Sequence, residues 1–160
     1  MRATLLIGGN LGDRNAYLDF AMSHLGKSIG SIIKRSDRYE SEAWGDRANH
    51  PFLNQVVEIE TTLQPNEILK GILSIEQMAE RTRIERWGDR TLDIDVLFIE
   101  NQIIDEENLT VPHPRLAERK FTLMPLHDID SEFIHPVMQK SIATLLEECT
   151  DNLNVNKYPY

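Results

Sequence analysis

The decisive stretch of this chain reads Arg81-Thr-Arg-Ile-Glu-Arg-Trp-Gly-Asp-Arg-Thr-Leu-Asp-Ile-Asp-Val96. From Leu92 onward, apolar and acidic residues alternate, which is the pattern of a β-strand with one buried face. Asp93 and Asp95 therefore point to the same side of the predicted strand, with roughly 7 Å of backbone between them. Neighbouring like charges destabilise a strand unless something neutralises them, so the pair indicates a bound cation.

The segment before this strand is rich in arginine, although the whole chain has a formal net charge of −9. Its arginines are Arg81, Arg83, Arg86 and Arg90. A guanidinium group pairs with phosphate oxygens, and Mg²⁺ is commonly held by one or two carboxylates together with substrate phosphates. Arginines beside paired aspartates therefore indicate phosphoryl transfer. Taken alone, each motif also fits a structural interpretation, a solvated strand edge for the aspartates and a soluble loop for the arginines.

Length and charge limit the class of protein. A chain of 160 residues with 41% hydrophobic residues is typical of one globular domain, which we expect to span residues 1–160. An isoelectric point near 5.0 argues against nucleic-acid or anionic-membrane partners, because both kinds of binding depend on spread positive charge. The single cysteine, Cys149, lies in an apolar helical pattern and is predicted to be a buried thiol.

Targeting signals are not evident in the sequence. No run approaches the roughly 18 continuous apolar residues of a membrane span. The N-terminal apolar run is too short for a signal peptide and leads directly into a turn. We therefore expect a cytoplasmic protein, and we expect it to act as a monomer.

The hydrophobic pattern predicts strand, helix, strand, strand, helix, strand and then a helical and irregular tail. Strands are predicted at residues 3–7, 31–42, 52–63 and 92–99, with a last extended piece at 121–126. The first helix is predicted to follow an N-cap at Asp13 and to stop at Gly26, and the second to open at Pro65. A third helix is predicted around residues 142–149, and residues 151–160 are expected to be loosely held.

This order of elements is the split βαβ arrangement. It predicts an α+β protein with a ferredoxin-like fold, in which an antiparallel sheet of four or more strands carries helices on one face.

Four segments of the chain carry a resemblance to one enzyme family. They are Gly8-Gly-Asn-Leu-Gly12, Phe52-Leu-Asn54, Arg86-Trp-Gly-Asp-Arg-Thr-Leu-Asp-Ile-Asp-Val-Leu97 and Thr110-Val-Pro-His-Pro114. In this order they resemble the motifs of the 6-hydroxymethyl-7,8-dihydropterin pyrophosphokinase family of folate biosynthesis. That family moves a pyrophosphoryl group from ATP to the hydroxymethyl group of a dihydropterin and releases AMP. The chain departs from the family's usual residues at Gly9, Trp44, Glu80 and Asp89.

The resemblance implies a role for each matched residue at the nucleotide end of the site. Asp93 and Asp95 would hold two Mg²⁺ ions that bridge the ATP phosphates, in agreement with the carboxylate pair described above. Arg81 and Arg90 match arginines that close over ATP and stabilise charge in the transition state. The other positions implied to line the nucleotide are Glu76, Arg83, Trp87, Val96, Thr110, His113 and Arg119. The alternatives are a helix-surface residue for Glu76, a core anchor for Trp87 and a structural loop histidine for His113.

The resemblance also implies a site for the pterin. A flat heteroaromatic ring binds against aromatic faces, with a few donors and acceptors at its edge. Phe52 and Phe121 match the two stacking positions and Asn54 matches the amide at the ring edge. Ser41 and Trp44 match the neighbouring loop. Without the resemblance, the two phenylalanines would be interpreted as ordinary core residues.

Two other classes of function are the alternatives. A two-metal nucleotidyltransferase also uses an Asp-x-Asp strand, but its Gly-Ser loop lies close to the aspartates in sequence, whereas Gly9 and Asp93 are far apart here. A non-enzymatic RNA-binding module on a similar sheet would need basic and aromatic residues on its central strands. The segment Val57-Glu-Ile-Glu60 supplies neither.

Overall fold

A computed structural model of the chain describes residues 1–43, 50–79 and 91–159. The strands are β1 (Arg2–Gly9), β2 (Ser31–Arg35), β3 (Tyr39–Ser41), β4 (Phe52–Glu60), β5 (Asp93–Ile99), β6 (Ile104–Asp105), β7 (Thr110–Val111) and β8 (Val155–Lys157). The helices are α1 (Arg14–Ser28), α2 (Pro65–Met78), α3 (Lys120–Asp130) and α4 (Ile142–Glu148). A short 3-10 helix covers Leu116–Glu118.

The main sheet has six strands, all paired antiparallel. Its order is β5-β1-β4-β3-β8, and β2 pairs with β4 further along that strand. Strands β6 and β7 form a separate two-stranded ribbon. The predicted α+β, ferredoxin-like class with an antiparallel sheet is therefore confirmed.

Helices cover both faces of the sheet. One core packs α1 and α2 against the sheet through residues such as Leu25, Ile72 and Val57. A second core packs α3 and α4 against the other face through residues such as Leu123, Leu145 and Val56. The expectation of helices on one face alone was wrong, because β1 and β4 carry buried apolar residues on both faces.

For the first helix, the predicted start was correct and the predicted end was wrong. Asp13 is the N-cap, and its side chain accepts a hydrogen bond from the Ala16 amide at 3.1 Å. The predicted stop at Gly26 was wrong, since α1 continues to Ser28 and its cap residue Ile29 bonds back to the Leu25 carbonyl. The second helix opens at Pro65 as predicted.

The predicted strand over residues 31–42 is two strands. Between β2 and β3 the regular pairing with β4 is interrupted at Ser36. There the Ser36 amide donates to the Val56 carbonyl, while the Ser36 hydroxyl, rather than its carbonyl, accepts from the Val56 amide. Both strands pair with β4, so the interruption divides one predicted element without changing its place in the sheet.

Three predictions near the C-terminus were wrong. Residues 121–126 are helical, because Leu123 and Leu126 lie three apart and both enter the second core. The segment 151–160 was expected to be loose, yet β8 pairs with β3 and Lys157 lies opposite Tyr39. Cys149 is intermediate in exposure rather than buried, and it ends the predicted helix α4 as its C-cap.

Candidate active site

The carboxylates of Asp93 and Asp95 lie on one face of β5, as predicted. Between and beyond them, Ile94 and Val96 are buried in the core under α1 and α2. In the register with β1, Asp93 lies opposite Gly8 and Asp95 opposite Leu6. Leu6 belongs to the core under α3 and α4, so the two aspartates share the α3 side of the sheet. Both side chains are partly exposed.

A row of three residues crosses the sheet at Gly8. Gly8 pairs with Asp93 on one side and with Asn54 on the other. Two strand spacings of about 4.8 Å place the aspartate and the asparagine about 10 Å apart, with no side chain between them. A Cβ atom at Gly8 would lie 2.2 Å from Asn54 Oδ1, so glycine is required for the amide to stay where it is.

The Asn54 side chain is held by its neighbour on β3. Asn54 is only 4% exposed, and its Nδ2 donates to Ser41 Oγ at 3.2 Å. Phe52 lies opposite Ser41 in the register of β3 and β4 and is half-buried. The predicted pterin residues Ser41, Phe52 and Asn54 are therefore adjacent in the folded chain.

The start of α3 brings Arg119 and Phe121 to the same side of the sheet. Arg119 is the N-cap residue of α3 and is 5% exposed, with its guanidinium 5.6 Å from the centre of the Phe121 ring. Burial lowers the pKa of Arg119, while the nearby carboxylates of Asp95 and Asp93 act in the opposite direction. The structure thus places a buried cation beside the carboxylate pair and an aromatic ring beside that cation.

His113 is fixed against the edge of β5. Its backbone amide donates to the Leu97 carbonyl at 3.0 Å, and its Nδ1 accepts from the Arg115 amide at 3.2 Å. Burial is the main cause that lowers the pKa of His113 to about 4, and Arg119 acts in the same direction. The imidazole is therefore neutral at pH 7, with its proton on Nε2 because Nδ1 is an acceptor.

Glu76 is buried rather than on the helix surface. It is 4% exposed, and its Oε2 accepts a hydrogen bond from the Ile94 amide at 3.1 Å. Ile94 lies on the edge strand between the two aspartates, so α2 holds the edge of β5 through this carboxylate.

A cavity of about 810 Å³ opens beside this edge. Its described lining includes Leu69, Leu73 and Glu76 of α2, the two aspartates of β5, and Asn108 from the turn between β6 and β7. A volume of this size is within the range of small-molecule sites. The cavity therefore connects a partly apolar pocket directly to the carboxylate pair.

The remaining predicted site residues differ in exposure, and some lie outside the described residues. Thr110 is exposed on β7, and the side chain of Val96 is in the core, so only its backbone can face the site. Trp44, Arg81, Arg83, Trp87 and Arg90 lie outside the described residues. Sequence analysis missed the role of Gly8, although its place in the first motif was a signal.

Two features are absent from the described part of the chain. None of its helices combines the length and apolar character that crossing a membrane requires. Within residues 1–43, 50–79 and 91–159, no cluster of three or more metal-binding side chains occurs. A cation at Asp93 and Asp95 would therefore take its other ligands from elsewhere.

The sequence matches a known family model over residues 4–131, described as 7,8-dihydro-6-hydroxymethylpterin-pyrophosphokinase (HPPK). The chain is 41% identical over 134 residues to the 2-amino-4-hydroxy-6-hydroxymethyldihydropteridine pyrophosphokinase of Methylorubrum extorquens, covering 83% of this chain and 85% of that protein. It is 38% identical over 144 residues to the enzyme of the same name from Aquifex aeolicus, covering 90% and 89%. The Bacillus subtilis enzyme is 42% identical over 128 residues, covering 79% and 77%.

Solved structures support the fold. A triple mutant of the HPPK-DHPS protein of Plasmodium falciparum with pteroate superposes with a TM-score of 0.75 at 19% identity, covering 92% of this chain. An HPPK-DHPS in complex with substrates gives a TM-score of 0.72 at 16% identity, covering 91% of this chain. The present chain spans less than half of each of those proteins, at 43% and 42%.

The fold is of the α+β class and carries a carboxylate pair on its edge strand, and the matches to known enzymes identify the class of protein as a transferase. The chain belongs to the 7,8-dihydro-6-hydroxymethylpterin-pyrophosphokinase family. The predicted ATP-dependent pyrophosphokinase of folate biosynthesis is thereby confirmed, and the nucleotidyltransferase and RNA-binding alternatives are set aside.

Proposed function

We propose that the α3 side of the sheet is the active site, with the phosphates at Asp93 and Asp95 and the pterin at Asn54. The reaction forms a bond between the hydroxymethyl oxygen of the dihydropterin and the β-phosphorus of ATP. It breaks the bond between that phosphorus and the oxygen that leaves with AMP. The observation that carries this assignment is the row from Asp93 through Gly8 to Asn54, which places the two ends about 10 Å apart on one face of the sheet.

We propose that Asp93 and Asp95 hold Mg²⁺, as two ions. The donor set fits, because both groups are carboxylates on one face and Mg²⁺ prefers oxygen ligands. Each ion also needs ligands beyond these carboxylates, and phosphate oxygens and water are the usual ones. When bound, the metal neutralises charge on the polyphosphate.

Arg119 and His113 support the phosphate end in different ways. Arg119 is buried next to both aspartates, where a permanent positive charge attracts a polyphosphate. His113 is neutral and carries its proton on Nε2, so it donates a hydrogen bond without adding charge. Through its backbone bond to Leu97 it is also fixed relative to the carboxylates.

The nucleoside part of ATP is proposed to enter the cavity beside α2. This cavity and the carboxylates lie on opposite sides of the sheet, so ATP would pass around the edge of β5. Leu69 and Leu73 offer apolar surface for a flat base, while Glu76 and Asn108 offer polar groups at its edge. This arrangement has the mixed lining of small-molecule sites and opens toward Asp95. Thr110 and the backbone of Val96 are assigned to the same end of the site by the family resemblance.

The pterin is proposed to lie over the Asn54 end. The amide of Asn54 keeps a fixed orientation through Ser41, and an amide group can both donate to and accept from the edge of a pterin. Phe52 and Phe121 are partly exposed, which leaves ring surface for stacking.

Five further residues are proposed on the family resemblance alone. Arg81 and Arg90 are assigned to stabilising charge on the transferred group, Arg83 and Trp87 to the nucleotide, and Trp44 to the pterin. We further propose that residues 1–160 act as one domain and as a cytoplasmic monomer. The support for one domain is that the first and last strands described, β1 and β8, belong to the same sheet.

The test of this site is an Asp95→Asn variant assayed with Mg²⁺, ATP and the hydroxymethyl dihydropterin. We expect AMP formation to fall by at least about a hundredfold, because the carboxylate loses charge without losing volume. Asp37→Asn is the matched control, since Asp37 is an exposed aspartate whose carboxylate forms an ion pair with Lys157 at 3.1 Å. ADP as the product, or wild-type turnover in the Asp95 variant with circular dichroism unchanged, would contradict the proposal.

A further inference from the structure

Arg14 joins three segments that are far apart in sequence. Its Nη2 lies 2.6 Å from the Glu40 carboxylate on β3, and its Nη1 donates to the Pro51 carbonyl at 3.1 Å. Its guanidinium also lies 5.3 Å from the centre of the Tyr158 ring, beyond the end of β8. One planar cation thus touches β3, the residue before β4 and the segment after β8.

The position of this arginine in its helix is unfavourable on local grounds. Arg14 is the first residue of α1, where the helix dipole favours negative charge, and the first turn contains no acidic residue. Its side chain is nevertheless only 20% exposed. The contacts to Glu40 and Pro51 therefore account for a cation at this position better than helix propensity does.

The contacts of Arg14 lie behind the proposed pterin residues. Tyr39 and Ser41 face the α3 side of the sheet, and Tyr39 donates from its hydroxyl to Asp128 of α3 at 2.7 Å. Glu40, between them, points to the opposite side, where it meets Arg14. The arginine therefore holds β3 from behind, while Ser41 on its front supports Asn54.

The second contact of Arg14, its hydrogen bond to the Pro51 carbonyl, restrains the start of β4. Pro51 immediately precedes Phe52, which lies opposite Ser41 in the register. A hydrogen bond to the Pro51 carbonyl limits how far the start of β4 can move relative to β3. The same guanidinium thus restrains both strands that carry the proposed pterin site.

We propose that Arg14 is a positioning residue for the pterin: it clamps the β3 and β4 ends from the rear face, and Tyr158 supports it. The inference rests on the proposed pterin site at Phe52 and Asn54. Tyr158 lies outside residues 4–131 that match the family, so this support belongs to the chain's own C-terminal segment. The Tyr158 amide is held in place by the Arg38 carbonyl at 2.8 Å.

The experiment compares dissociation constants for the pterin and for a non-hydrolysable ATP analogue in purified variants. For Arg14→Ala we expect the pterin Kd to rise about tenfold while the Kd of the ATP analogue stays within about twofold of the wild type. The pterin Kd of Arg14→Lys is expected to lie between those of the wild type and Arg14→Ala, because one ammonium group cannot contact both Glu40 and Pro51 as the planar guanidinium does. Arg35→Ala is the charge-matched control, since Arg35 is exposed on β2 and lies opposite Val57, away from Pro51 and Phe52.

Tyr158 provides an independent pair of variants should Arg14→Ala fail to fold. Tyr158→Phe keeps the aromatic face and is expected to bind pterin like the wild type, whereas Tyr158→Ala is expected to bind it more weakly. Phe52→Ala separates the two proposals. If Phe52→Ala leaves the pterin Kd unchanged, the proposed site itself fails.

The clamp is overturned by two results. One is that Phe52→Ala weakens the pterin while Arg14→Ala and Tyr158→Ala bind it like the wild type. The other is that Arg14→Ala weakens the pterin and the ATP analogue equally, which is the effect of general destabilisation. A selective rise in the pterin Kd for the Arg14 and Tyr158→Ala variants supports it.

Discussion

Gly8 illustrates how one residue decides the geometry of the site. Its neighbours across the sheet are Asp93 and Asn54, which belong to the two proposed ends of the reaction. A side chain at this position would occupy the space between them and collide with the Asn54 amide. The motif around Gly8 was recognisable in the sequence, but the reason for a glycine became visible only in the strand register.

Replacing Gly8 by alanine is expected to cost about 1–3 kcal/mol of unfolding free energy, because the added Cβ displaces the Asn54 side chain. We expect weaker pterin binding as well. Chemical denaturation and pterin titration measure the two effects. Gly26→Ala is the matched control, since Gly26 is exposed in α1 with open space around it and the change should stabilise by about 0.5–1 kcal/mol. Equal stability of the two variants would contradict this account.

At the scale of elements, β5 depends on a contact with α2, the helix that precedes it in the chain. The strand was predictable, because its alternation of acidic and apolar residues is local. The hydrogen bond at its edge was not predictable from a local pattern, because the Ile94 amide donates to the Glu76 carboxylate of α2. Sequence analysis gave Glu76 as a nucleotide residue or a helix-surface residue, and the structure adds a contact with the strand that carries both aspartates.

We expect Glu76→Ala to lower the unfolding free energy by about 1–3 kcal/mol, because the buried Ile94 amide loses its acceptor. Glu76→Gln keeps an acceptor oxygen and should lose less. Hydrogen exchange at the Ile94 amide, measured by NMR, should be faster in the alanine variant than in the glutamine variant. Glu147→Ala, an exposed position on α4, is the control. Identical exchange in both Glu76 variants would rule out this hydrogen bond as the restraint.

At the scale of the whole molecule, two histidines couple stability to pH, the half-buried His113 and the buried His135. The pKa of His113 is lowered to about 4, chiefly by burial. The pKa of His135 is also lowered by burial, and its Nδ1 accepts from the amides of Val137 and Met138. Both side chains are therefore neutral in the folded protein at pH values where they become protonated in the unfolded chain.

As the pH falls, these histidines become protonated in the unfolded chain before they do so in the folded protein. Their contribution to the free energy of unfolding should therefore be fully present above about pH 6.5 and should be lost as the pH drops toward 4. For His113 the loss amounts to at most about 3 kcal/mol. Urea denaturation from pH 7 to pH 4.5 measures it. The His113→Asn variant should show a smaller slope over that range. A slope equal to that of the wild type would mean that His113 does not contribute.

The local elements and the chemistry of the Asp93–Asp95 strand follow from the order of the residues alone. Alternation over Leu92 to Val96, the N-cap at Asp13 and the helix start at Pro65 each depend on neighbours within a few positions, and the structure confirms them. The four matched motifs likewise led to the correct family.

Three features depend on how the elements pack together: the face that each helix covers, the pairing of the C-terminal segment and the support of the site. Residues 121–126 are helical because they pack on the second face, and β8 exists because β3 offers it an edge. The contacts of Arg14 with Pro51 and of Glu76 with Ile94 join residues that are 37 and 18 positions apart. Such contacts follow from the packing of whole elements, and no pattern within one element encodes them.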